Sequence, residues 1–135
     1  MRVTAYIEPK NMSIYAIRCN STGRLYIGMS RRVGERVDEH LQSLRRNDHQ
    51  VKLLQKDYNT HGKENFSFYV LEEGLTEKEA RQREQDFMEE YDTRNPAHGY
   101  NATHPRYGKN TMKRPTPSLI YDKPPKAELI EEVRT

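Results

Sequence analysis

Glu84 stands where an apolar residue belongs. It lies four residues after Ala80, three before Phe87 and four before Met88, so a helix through this stretch carries its carboxylate on the apolar stripe. Such a carboxylate is costly to bury without compensation. Two readings fit. In one it ligates a divalent cation or works as an acid or base; in the other it sits at the stripe edge, reaching solvent or pairing with Arg83 or Arg36. Arg36 and His40 are four residues apart and flank the stripe of Val33, Val37 and Leu41, so both project along one side of an earlier helix. That pair suits a phosphate-binding guanidinium beside a neutral imidazole, and equally a solvated polar shoulder. Tyr15 and Tyr26 lie on two adjacent extended segments. They are either core aromatics with satisfied hydroxyls or phenols that exchange protons. Asn101, after Gly99-Tyr100, reads as a turn residue or as an orienting amide.

The elements that must position these groups follow from local pattern. Ser13–Arg18 and Arg24–Met29, separated by the turn-rich Asn20-Ser21-Thr22-Gly23, predict an antiparallel hairpin. Val33, Val37, Leu41 and Leu44 predict a helix over 33–46, with Asn47-Asp48 as its stop. Val51, Leu54 and Tyr58 mark a second, short helix that His61-Gly62 ends. Phe66–Leu71 is aromatic and β-branched, a third strand. Thr76 and Glu79 form a capping-box pattern opening a third helix, with Glu77–Arg81 and Glu79–Arg83 as outward pairs and Asn95-Pro96 as its end. The order β-β-α-α-β-α predicts an α+β domain with a small three-stranded antiparallel sheet flanked by helices.

The chain has 135 residues, of which 33% are hydrophobic and 32% charged, with a formal net charge of +3. That is room for one small core and some unpacked chain. Five of the seven prolines follow residue 104, so the domain is placed at 10–104 and a Pro-rich basic tail, extended or partly disordered, at 105–135. Within the tail, 127–133 is expected to form one or two helical turns. No apolar run is long enough for a membrane span, and the first residues lack the apolar segment of a secretory signal. One cysteine and five scattered histidines exclude a disulfide framework and the usual zinc spacings. Phosphate-loop and dinucleotide glycine fingerprints are missing too. A reducing, cytoplasmic setting is expected.

Taken together, the motifs resemble those of the GIY-YIG nuclease family, over roughly residues 13–103. Ser13-Ile14-Tyr15 resembles the first motif, with Ser for the first Gly, and Tyr26-Ile27-Gly28 reproduces the second. Arg36 and His40 resemble the R-x-x-x-H of the family's helix. Tyr58 to Phe66 is similar to a Y-x-x-x-G-x-x-x-F passage of phage and homing-type members. Glu84 to Met88 resembles E-x-x-W-I with Phe and Met at the last two places, and Gly99-Tyr100-Asn101 resembles the closing G-Y-N.

The resemblance implies an endonuclease that hydrolyses DNA phosphodiesters, double-stranded DNA foremost, with one divalent ion, Mg²⁺ or Mn²⁺. It implies a site of Tyr15, Tyr26, Arg36, His40, Glu84 and Asn101. Glu84 holds the metal, Arg36 braces the phosphate and one tyrosine activates water. His40 hydrogen-bonds a tyrosine and shares its proton, and Asn101 orients Glu84 or the phosphate. Arg24, Arg31, Arg32, Arg45 and Arg46 are candidate DNA contacts, or plain surface charge. Homing-type members carry a separate DNA-binding region, whereas residues after Asn101 show no zinc-finger or helix-turn-helix pattern. A low-specificity nuclease, a restriction-type homodimer or a shortened chain is therefore expected. The competing expectation is a nucleic-acid-binding or partner-recruited module on the same scaffold, with weak or no cleavage of its own.

Overall fold

Alternating apolar residues build a sheet that is buried on both faces. The computed structural model describes residues 8–102 and the backbone pair 128–129. In it, β1 (Met12–Cys19) and β2 (Leu25–Ser30) form the expected antiparallel hairpin, with Tyr15 opposite Gly28. Next come α1 (Val33–Arg45), α2 (Lys52–His61), a single 3-10 turn (Lys63–Asn65), β3 (Phe66–Leu75) and α3 (Glu77–Glu90). β1 is the middle of the three long strands, paired antiparallel with both β2 and β3. The α+β class and the order β-β-α-α-β-α stand as read from the sequence.

Strand alternation divides the core in two. Ile14, Ala16, Leu25, Ile27 and Tyr69 pack with Ala80, Phe87 and Met88 of α3. Tyr15, Ile17, Tyr26 and Phe68 face the other way, onto Val37, Leu41 and Leu44 of α1 and Leu54 of α2. The two tyrosines of the site thus belong to the α1 side of the sheet. Beside Tyr15 the ladder is irregular. Three steps along β1 from Met12 to Tyr15 face five along β3 from Leu75 to Val70, so β3 carries extra residues that bend and twist it at that point.

α3 starts as its sequence dictates. Thr76 Oγ1 accepts the Glu79 N–H at 3.1 Å, and Glu79 Oε1 accepts the Thr76 N–H at 3.0 Å. Glu77 pairs with Arg81 as expected. The expected Glu79–Arg83 pair does not form. Glu79 is committed to the cap, and Arg83 reaches across to Glu72 of β3 at 2.7 Å and along its own helix to Asp86.

The tail brings a correction. Instead of a helical turn, Glu128–Leu129 form a short strand, β4, antiparallel to Tyr69 and Val70 on the open edge of β3. That edge otherwise presents unpaired backbone groups, which pairing satisfies. The sheet order is therefore β2-β1-β3-β4. The rest of the expected tail, 105–135, lies outside the described residues. Among the described residues no helix is long and apolar enough to cross a membrane.

Candidate active site

Three rings meet at the β2–β1 side of the sheet. The Tyr15 and Tyr26 ring centroids are 6.2 Å apart, and His40 from α1 lies 5.7 Å from the first and 5.2 Å from the second. The Tyr15 hydroxyl is 2.8 Å from His40 Nε2. All three side chains are buried. The second motif's glycine makes this possible: a Cβ on Gly28 would lie 2.5 Å from the Tyr15 hydroxyl oxygen. The Tyr15 ring lies across the bare backbone of its register partner.

Arg36, one turn before His40, is half-exposed and donates to Glu39 at 2.9 Å. Its charge acts on both tyrosines. Burial pushes both phenols above their ordinary range; the Glu84 carboxylate pushes the same way, and Arg36 opposes. Burial and the Arg36 charge push His40 down to about 3, so its imidazole is neutral at pH 7.

Glu84 arrives from α3, which packs mainly on β2 and β1. It is half-buried and forms no hydrogen bond or ion pair with a described residue, its potential partners Arg83 and Arg36 being engaged by Glu72, Asp86 and Glu39. Burial pushes its carboxyl up to about 7, against the opposing charges of Arg81 and Arg94. Between the unfolded carboxyl value and about 7, the folded chain holds a proton that the unfolded chain has lost, so stability falls as pH rises through that window. Glu84→Gln is expected to melt with wild type at pH 4 and roughly 5 °C above it at pH 8 in EDTA. Thermal melts at the two pH values check this, and a gain equal at both would contradict it.

Asn101 sits in the closing loop after Gly99-Tyr100, as read from the sequence. It is fully buried. Its Oδ1 accepts the Ile27 N–H at 2.9 Å and its Nδ2 donates to the Ile27 carbonyl at 3.1 Å. These two bonds tie down the backbone between Tyr26 and Gly28. The closing loop is built for this. A Cβ on Gly99 would meet Thr93 Cα at 2.3 Å, and the Tyr100 hydroxyl donates to Asp57 at 2.6 Å.

Of the candidate DNA contacts, Arg24 belongs to that same structural network. It donates to Asp57 at 2.9 Å and to the Pro96 carbonyl at 2.8 Å, and its side chain is only 25% exposed. These bonds make it a clamp between β2, α2 and the closing loop. Arg31 and Arg32 are exposed and line one open groove with Arg36, Met12 and Met29. Arg45 and Arg46 lie at the far end of α1, roughly 13–15 Å along its axis from Arg36, and Arg46 pairs with Asp48. Sequence reading missed His49, whose Nε2 is 2.8 Å from His40 Nδ1. A lone histidine nine residues after His40, in a loop, has no periodicity to mark it.

Comparison with known proteins completes the picture. The family model described as the GIY-YIG catalytic domain matches residues 11–101. The chain belongs to this family. Among solved structures, GIY-YIG similarity is clear to the catalytic domain of the intron endonuclease I-TevI in a mutant form: 27% identity, TM-score 0.62, covering 72% of this chain and 99% of that one. A second structure of the catalytic domain of the homing endonuclease I-TevI gives 25% identity and TM-score 0.60, covering 65% and 96%. No curated protein sequence matches significantly. The chain is thus an endonuclease of GIY-YIG type.

Proposed function

We propose that this GIY-YIG endonuclease hydrolyses DNA phosphodiesters with one divalent ion, Mg²⁺ or Mn²⁺, held by Glu84. The observation that carries the reading is a buried cluster of two phenols and a neutral imidazole on which the charges of Arg36 and Glu84 both act, Glu84 being half-buried and making no hydrogen bond or ion pair with a described residue. A binding-only module has no need of so costly an arrangement. The donor set fits the ion: among the described residues no group of three His, Cys, Asp or Glu side chains converges, which suits a hard cation that keeps most of its water when a single carboxylate binds it. When bound, the ion supplies Lewis-acid polarisation of the scissile phosphate and offsets the Glu84 charge that opposes tyrosine ionisation.

The chain's own residues supply the remainder. Arg36 faces the groove and braces the phosphate through its fork of N–H donors. A tyrosine, as its phenolate, takes the proton of the attacking water as the new P–O bond forms; the bond to the sugar oxygen breaks and that leaving oxygen takes a proton from solvent water. Arg36 favours that phenolate by opposing burial. Arg31 and Arg32 extend the cationic rim along which a DNA backbone would run.

Supercoiled plasmid incubated with purified chain tests the reading. Nicking or linearisation is expected with Mg²⁺ or Mn²⁺ and none in EDTA. Equal cleavage in EDTA would overturn the metal dependence. Cleavage of RNA with plasmid left intact would overturn the substrate.

A further inference from the structure

The groups behind Tyr15 form a hydrogen-bonded line whose direction is set at its far end. A backbone N–H can only donate, and that of Val51 donates to His49 Nδ1 at 3.0 Å. A neutral imidazole carries its proton on one nitrogen and accepts at the other. His49 therefore carries its proton on Nε2, which lies 2.8 Å from His40 Nδ1. His40 Nδ1 must then accept, so His40 carries its own proton on Nε2, 2.8 Å from the Tyr15 hydroxyl. Both rings are neutral at pH 7, because burial and the nearby Arg36 charge lower both histidines. The His49 end is itself held: its backbone N–H donates to Gln55 Oε1 at 3.0 Å, and Gln55 Nε2 donates to the Leu44 carbonyl at 3.0 Å.

We propose that His49, anchored by the Val51 amide, is a positioning residue that fixes His40 as a one-way hydrogen-bond donor to Tyr15. His40 then presents no lone pair to Tyr15 and does not share its proton, which departs from the role expected of it from the sequence. Tyr15 receives a donor, which stabilises its oxygen as negative charge develops, and its own O–H is directed away from His40. The same sense continues onto Tyr26, whose phenolate the Tyr15 hydroxyl favours. The consequence for rate rests on the nuclease reading; the direction of the line does not.

Imidazole ¹⁵N spectra of the full chain read the tautomers directly. Both His40 and His49 are expected to be protonated at Nε2 with bare Nδ1. A His40 protonated at Nδ1 in the wild-type chain would overturn the proposal, whatever the activity. Two variants then separate positioning from packing. His49→Gln retains an amide N–H for His40 Nδ1 and should cleave within a few-fold of wild type. His49→Glu offers an acceptor there, reverses the His40 tautomer, and should slow cleavage by roughly 10- to 100-fold, the usual loss when an orienting partner is removed, with DNA binding unchanged. Equal losses in the two variants at equal Tm would mean that His49 only fills space. If the wild-type chain does not cut DNA, the nuclease reading fails while the spectra still decide the tautomer.

Discussion

Arg36→Ala is expected to lower the cleavage rate by about 10³-fold, the range seen when a preorganised cation or donor on a phosphoryl or oxyanion is lost. The protein should melt within about 2 °C of wild type. The side chain is 42% exposed and its ion pair with Glu39 is a solvent-facing i,i+3 contact, worth little to stability. Its charge also opposes the burial that raises both phenols, so its loss makes either tyrosine harder to ionise and, on the proposed function, removes the phosphate brace. Arg36→Lys keeps the charge without the planar fork and should recover only part of the rate. Initial-rate cleavage assays with parallel melts check both. A large drop in Tm for Arg36→Ala would make the residue structural.

Gly28→Ala should damage stability and activity together. The added Cβ would lie 2.5 Å from the Tyr15 oxygen and 2.6 Å from its Cζ, closer than non-bonded atoms approach. Tyr15 is 1% exposed and its hydroxyl is held by His40, so the ring has nowhere to swing. Overpacking of this kind costs about 1–3 kcal/mol, a Tm loss on the order of 10 °C for a domain of this size. The displaced hydroxyl should cost at least about 10²-fold in cleavage. A variant with wild-type Tm and rate would mean that the Tyr15 ring has room the structure does not give it.

How much of this was legible in the sequence depended on the range of the interactions. The hairpin, the α1 stripe and the Thr76–Glu79 cap are set by residues a few positions apart, and the fold class followed from them. Glu84 was visible as a misfit on an apolar stripe, and the structure finds it half-buried, with no hydrogen bond or ion pair to a described residue. Arg24 and Asn101 were not readable. Arg24 resembles any surface cation until Asp57, 33 residues on, is seen to hold it. Asn101 looks like a turn residue because its partner, Ile27, is 74 residues away. β4 is equally non-local: two residues have no period, and only the open edge of β3 makes Glu128–Leu129 a strand. His49 combines both obstacles, a loop position and a role exercised through another histidine.

The most direct test of the central claim sets Glu84→Ala beside the wild-type chain on supercoiled plasmid in Mg²⁺ and in Mn²⁺, at pH 8, where the carboxyl of about 7 is ionised. The account predicts metal-dependent cutting by wild type and none above background by the variant, at a Tm no lower than wild type's. Cleavage that persists in Glu84→Ala at wild-type rate would contradict it, and would place the metal, or the whole reaction, somewhere other than the Tyr15–Tyr26–Arg36–His40–Glu84 centre.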